Sequence, residues 1–235
     1  MKYAKRNDGR KFNETRPITA EVGVIKNAVG SAKFQIGKTI AIAAVYGPNN
    51  VFPKFLQKPD RAILRCNYNM MAFSGSGDRV RPGTNRRGKE IGMVIEKAFE
   101  NILDLSEFPK AAIDVFIELP QTDAGTRCAG ICAASLALAD AGFEMKDLVC
   151  AISCGLVGDQ VVADLDYSEE AFEGGSVDIP IAMTPRNGEI TLLQLDGEIS
   201  KEDLKKAVEF GKEACLKIYE IQKQVLKAKY EETKQ

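Results

Sequence analysis

Short apolar runs over 18–26, 31–36 and 39–46, separated by turn residues at 27–30 and 37–38, predict three strands near the start of the chain. The polar stretch 1–16 before them reads as an extended arm. Over 61–73 the pattern alternates, with Ala62, Leu64, Cys66, Tyr68 and Met70 on one face and Arg61, Arg65 and Asn67 on the other, which predicts a half-buried strand. The period then changes. Ile91, Val94, Ile95, Ala98, Phe99, Ile102 and Leu103 recur at helical spacing and predict an amphipathic helix. A strand over 111–119 comes next, with Ile113, Val115, Ile117 and Leu119 on one face. The segment 125–141 is rich in Ala and Leu on nearly all sides, so it reads as a buried helix closed by Gly142. Strands follow over 148–156 and 160–166, then over 177–183 and 189–195. Ser200 and Asp203 open a last helix with a stripe through Leu204, Val208, Gly211, Cys215, Ile218, Ile221 and Val225.

That order of strands, helix, strand, helix, then four strands and a long helix, predicts an α+β fold in two lobes. One lobe covers 1–147 and the other 148–235, with the seam near 142–148 and no internal repeat.

Composition narrows the chemistry more than the fold. The chain is 45% hydrophobic and 28% charged, a balance that excludes disordered, collagen-like and coiled-coil classes. Its longest apolar runs, such as 40–46, fall far short of the roughly 20 residues a membrane span needs. The charged start has no apolar run behind it, so no signal peptide is expected and the location reads as cytoplasmic. There is no His, which removes imidazole bases, Ser-His-Asp triads and His-ligated zinc. Of the six Cys, Cys128 with Cys132 and Cys150 with Cys154 share a spacing that would suit a thiolate metal site. Both pairs lie in strongly apolar segments, where Cys acts as a small hydrophobe, and that reading is preferred.

Net charge is only −1, but its distribution is uneven. The loop 77–89 carries Arg79, Arg81, Arg86, Arg87 and Lys89. From 147 to 185 there is no Lys or Arg, while Asp147, Asp159, Asp164, Asp166, Glu169, Glu170, Glu173 and Asp178 accumulate. The two stretches either are solvated surfaces or meet as an anion site facing an acid or metal site. Two helix starts favour the second reading. Arg86 and Arg87 stand at the start of the first helix, and Gly125, Thr126 and Arg127 open the second. A helix N-terminus presents unpaired amides and a partial positive charge, and arginine adds a planar fork that fits phosphate. Asp164 and Asp166 fall on one face of a predicted strand that leads to Glu169 and Glu170. Carboxylates so placed hold Mg²⁺ or act as a general acid, with a solvated strand end as the plain alternative. No side chain looks like an activated nucleophile, so in an enzyme a bound phosphate would fill that role.

At these residues the sequence resembles the RNase PH-like phosphorolytic exoribonucleases, most closely the catalytic RNase PH-type subunits of archaeal exosomes. The resemblance runs from the Asn-Asp-Gly-Arg run ending at Arg10 and the Arg-Pro-Ile at Arg16 through Pro59-Asp60-Arg61 and Arg86-Arg87. It continues through the Asp-Ala-Gly-Thr-Arg run from Asp123 to Arg127, the Ala-rich helix after it and Asp164-Leu165-Asp166, to Asp178-Ile179-Pro180. It implies an RNase PH-like fold and a phosphate-dependent 3′→5′ exoribonuclease. That enzyme would release nucleoside diphosphates from single-stranded RNA and, in reverse, extend RNA tails.

The resemblance also implies roles. Arg87, Gly125, Thr126 and Arg127 match phosphate-binding positions, and Arg86 matches a contact to the RNA backbone. Arg61, Arg65 and Tyr68 match the RNA track, with core packing an alternative for Tyr68 because alternation sets it on the apolar face. Asp164 matches the catalytic aspartate, as general acid or Mg²⁺ ligand, and Glu170 stands where a second acidic residue is often found. Implied co-reactants are Mg²⁺ and inorganic phosphate. Implied partners are an inactive RNase PH-like paralogue in an alternating hexameric ring and OB- and KH-type cap subunits, with no membrane and no DNA. The rivals are a non-catalytic ring subunit of the same family and a homohexameric bacterial-type RNase PH.

Overall fold

The computed structural model describes residues 3–76, 80, 81, 83 and 85–232. Of the basic loop, Gly77 and Arg79 lie outside the described residues. Among the described residues, no helix is long and apolar enough to cross a membrane.

The first sheet joins β1 (Ile18–Val22), β2 (Gly30–Ile36), β3 (Thr39–Asn50), β4 (Ile63–Met70) and β5 (Ala111–Gln121) in the order β1-β2-β3-β5-β4. Its pairs are antiparallel except β4 with β5, which run parallel because helix α1 (Arg86–Phe99) crosses between them. After helix α2 (Thr126–Asp140), the second sheet takes β6 (Cys150–Val157), β7 (Gln160–Ala163), β8 (Ser176–Thr184) and β9 (Glu189–Leu193) in the order β7-β6-β8-β9. A single turn of helix, α3 (Tyr167–Glu170), separates β7 from β8, and the long helix α4 (Lys201–Glu232) closes the chain.

α2 contacts β2 and β3 of one sheet and β6 of the other. Buried from nearly every side, it is apolar all round, as a helix between two layers must be. One core cluster therefore runs through both sheets, from Phe34 and Ile117 through Ile131 and Leu136 to Ile152 and Ile181. All six thiols are free and buried, and burial pushes Cys132 and Cys154 up to about 12, which keeps them protonated.

α1 begins earlier than its apolar stripe indicates. The Asn85 side chain accepts a hydrogen bond from the Gly88 amide at 2.6 Å, so Arg86 and Arg87 occupy the first turn. Two glycines four apart let this helix lie directly on β4. A Cβ on Gly88 would stand 2.7 Å from the Tyr68 carbonyl oxygen, and one on Gly92 would stand 2.4 Å from that of Cys66. Gly92→Ala is therefore expected to cost about 1–3 kcal/mol and to displace Arg87 relative to Tyr68. Denaturant unfolding and phosphate binding measured on the same variant test this, and unchanged values for both would refute it.

The structure corrects two expectations about local geometry. The described part of the arm, 3–16, packs onto the second lobe, with Tyr3 and Arg6 6% and 1% exposed. The strand predicted over 160–166 stops at Ala163, because Asp164 takes a left-handed conformation with φ of 55°. Asp166 then caps α3 in a reciprocal capping box with Glu169. Asp164 and Asp166 do not share a strand face. The kink turns α3 so that Glu170, at its end, faces inward.

Candidate active site

The N-termini of α1 and α2 open on one cavity of about 600 Å³. Tyr68, Arg87, Thr126, Arg127, Glu170 and Asp178 line it, with Gly125 and Ser153 between them. The turn before α2 is unusual backbone. Ala124 and Gly125 both have positive φ, 58° and 62°, and Gly125 is the N-cap of α2 with no side-chain cap. Gly tolerates this conformation without penalty, and the uncapped start leaves helix amides facing the cavity. Thr39 holds the turn from beneath, its hydroxyl donating to the Ala124 carbonyl at 2.8 Å and accepting from the Asp123 amide at 2.9 Å.

Arg127 donates to the Gln194 side-chain oxygen, and the Ser153 hydroxyl donates to the Asp178 carboxylate. Burial pushes Glu170 up to about 7, helped by the negative charge of Asp178 and opposed by the Gly125 amide, Arg87 and Arg16. Asp178 is raised as well, again mainly by burial, against the pull of Ser153 and Arg127. Two carboxylates here each resist ionisation while cationic groups crowd beside them. The basic and acidic stretches of the sequence thus meet in one half-buried cavity. Such a cavity is suited to a polyanion and to proton transfer near neutral pH.

Tyr68 belongs to the core and to this cavity at once. Only 6% of it is exposed. Its hydroxyl has no partner at hydrogen-bond geometry, although Thr126 lies beside it, and burial pushes it up to about 12. A buried hydroxyl without a partner is costly until a ligand supplies one.

The structure does not bring Asp164 to this cavity. Its carboxylate is 1% exposed and accepts from the Arg16 amide, Nε and Nη2 at 2.6, 2.9 and 2.7 Å. A carboxylate so enclosed has no oxygen to offer a substrate or an ion at the cavity. Arg61 is exposed and pairs with Asp60 at 3.0 Å beside a different groove. Arg65 pairs with Asp114 across the parallel strands at 2.6 and 2.9 Å, and Arg86 is exposed on the first turn of α1 without lining the cavity. Sequence reasoning gave no role to Asp178, Ser153 or Gln194. Asp178 did leave a signal: it is the one charge in the otherwise apolar run of β8.

Residues 14–144 match the 3′ exoribonuclease family, domain 1 (RNase PH), and residues 147–214 match domain 2 of the same family. The chain is 52% identical over 226 residues to the exosome complex component Rrp41 of Thermococcus kodakarensis, covering 96% of this chain and 90% of that protein. It is 48% identical over 225 residues to the Rrp41 component of Methanopyrus kandleri, covering 96% and 93%. Among solved structures it is similar to rice (Oryza sativa) Rrp46, with a TM-score of 0.83 and 26% identity over 94% of this chain and 100% of that one.

Proposed function

Because the chain belongs to the RNase PH family of 3′ exoribonucleases, we infer that it is the phosphorolytic 3′→5′ exoribonuclease subunit of an archaeal-type exosome. The observation that supports this most is the convergence of Arg87, Arg127 and the uncapped start of α2 with Glu170 and Asp178 in one cavity.

Inorganic phosphate binds to Arg87, Arg127, the Thr126 hydroxyl and the first amides of α2. One of its oxygens attacks the phosphorus of the terminal phosphodiester. A new P–O bond forms as the bond to the O3′ of the preceding nucleotide breaks, and a nucleoside diphosphate leaves. The departing O3′ takes a proton from Glu170, whose raised proton affinity keeps it loaded near neutral pH. One phosphoanhydride replaces one phosphodiester, so the step runs both ways. With excess nucleoside diphosphate, ionised Glu170 accepts the O3′ proton and the RNA tail grows. The rest of catalysis is positioning and charge stabilisation.

Mg²⁺ suits this donor set, since it is held by one or two carboxylates together with substrate phosphates. Asp178 would hold it together with the substrate phosphates, leaving Glu170 its proton, and it would supply charge neutralisation at the phosphate oxygens.

Arg86, exposed at the cavity's edge of α1, contacts the RNA backbone, and Arg61 and Arg65 extend the basic track. Three copies alternate with an inactive RNase PH-like paralogue in a hexameric ring, capped by OB- and KH-type subunits, in the cytoplasm. Support comes from the exosome relatives and, for the reducing compartment, from six free thiols.

The direct test incubates the chain, with and without that paralogue, with 5′-labelled RNA and phosphate. Nucleoside diphosphates are expected, and nucleoside monophosphates would indicate hydrolysis and defeat the mechanism. Arg87→Ala is expected to raise the phosphate concentration needed for half-maximal rate. Arg86→Ala should instead weaken RNA binding and flatten its salt dependence, because one phosphate contact is lost. If both variants alter only RNA affinity, this division of roles is wrong.

A further inference from the structure

We propose that Arg16 and Asp164 form a positioning latch that sets the phosphate-binding turn at its working distance from Glu170 and Asp178. The proposal rests on the reading of the cavity as a phosphate site. Neither residue lines that cavity, yet between them they touch both of its sides. Arg16 grips Asp164 through its amide and guanidinium, donates Nη1 to the Asp123 carbonyl and lies 3.7 Å from the Asp123 carboxylate. Its Nη2 sits 3.5 Å from where a Cβ on Gly125 would stand, so the guanidinium is packed directly beneath the turn. On the other side, the Asp164 amide donates to the Ser153 carbonyl at 2.7 Å, and the Ser153 hydroxyl donates to Asp178. The Asp164 carbonyl receives Arg6 at 2.6 Å, and Arg6 in turn clamps Glu169, the neighbour of Glu170.

The backbone is bent to make this possible. Asp164, Ala124 and Gly125 all have positive φ, at 55°, 58° and 62°. Two of these residues have a Cβ and adopt the left-handed conformation only where surrounding contacts over-determine it. The Arg16 fork supplies those contacts to both segments. With side chains 6% and 1% exposed, the pair is shielded from screening, and its planar geometry fixes orientation as well as distance.

The test is Asp164→Asn in the assembled ring, with Arg16→Lys beside it. Asn keeps the shape but turns an N–H toward the guanidinium, and Lys keeps the charge but loses the fork. Each is expected to raise the phosphate concentration for half-maximal phosphorolysis by about 10- to 100-fold, the scale of a misplacement near 1 Å. RNA affinity should stay as in the wild type. Calorimetric binding of inorganic phosphate without RNA should show the same loss. An Asp164→Asn enzyme with unchanged phosphate dependence, a collapsed kcat and no pH limb would make Asp164 the proton donor and overturn the latch. If that variant does not fold, Arg16→Lys decides: wild-type phosphate dependence there overturns the proposal too. Wild-type protein that binds no phosphate would overturn the reading of the cavity itself, a failure separable from that of the latch.

Discussion

Glu170→Gln is expected to abolish phosphorolysis and RNA tailing together, by at least about 10²–10⁴-fold, while RNA binding persists. Gln preserves the size and polarity of the side chain but carries no transferable proton, and both directions of the reaction cross the same transition state. The pH dependence sharpens the test. With its proton held up to about 7 by burial and by Asp178, Glu170 is loaded below that value and empty above it. Phosphorolysis should therefore fall as pH rises through about 7, and tailing should rise over the same range. Asp178→Asn removes the neighbouring negative charge and should move both limbs to lower pH. The shift also bears on stability. Because the folded value lies above the ordinary 4.5, the contribution of Glu170 is fully present below that value and is lost as pH rises through about 7. Tail shortening, tail extension and RNA affinity measured on one preparation check the set. A Glu170→Gln enzyme that shortens RNA at the wild-type rate removes Glu170 from the mechanism.

The largest effect on stability is expected for Arg6→Met. Arg6 and Glu169 are both 0% exposed at their side chains, joined by contacts of 2.8 and 2.7 Å. Arg6 also donates to the carbonyls of Glu14, Ala163 and Asp164 at 3.0, 2.8 and 2.6 Å. Among the described residues, removing it leaves a buried carboxylate with the Tyr3 hydroxyl and the Asp166 amide, and four carbonyls lose a donor, that of Lys11 at 3.4 Å included. Breaking such a pair from one side costs about 3–5 kcal/mol. In a chain of this length that lowers Tm by on the order of 10 °C. Replacing both partners with apolar residues should recover much of the loss, since the isolated charge then disappears. Thermal unfolding of the single and double variants measures this. A single variant that melts like the wild type would show that the arm adds nothing to the fold.

How much of this was legible before the structure depended on the range of the interaction. The Ala-rich run of α2 is apolar on every side, and only a helix between two layers has use for that pattern, so its burial could be read directly. That Arg87, Thr126 and Arg127 stand at helix starts was legible for a related reason: arginine or threonine there is a local signal, and all three line the one cavity. Tyr68 showed two readings, and the packing one is seen: β4 turns its ring into the core while the hydroxyl reaches the cavity.

The carboxylates were another matter. Asp164, Glu170 and Asp178 are all carboxylates, and the resemblance favoured Asp164. Which of them faces the cavity depends on a left-handed residue that ends β7, and on Arg16, which lies 148 positions away from Asp164. A pattern of period two or 3.6 carries no information about such a partner. From its own sequence this protein determined its elements, their order, its two-lobed α+β class and the two helix starts that carry arginine, because each follows from local periodicity and backbone geometry. Only the tertiary structure decided which acid is enclosed by arginine and which faces the cavity, because desolvation and charge pairing act through space between residues the chain keeps far apart.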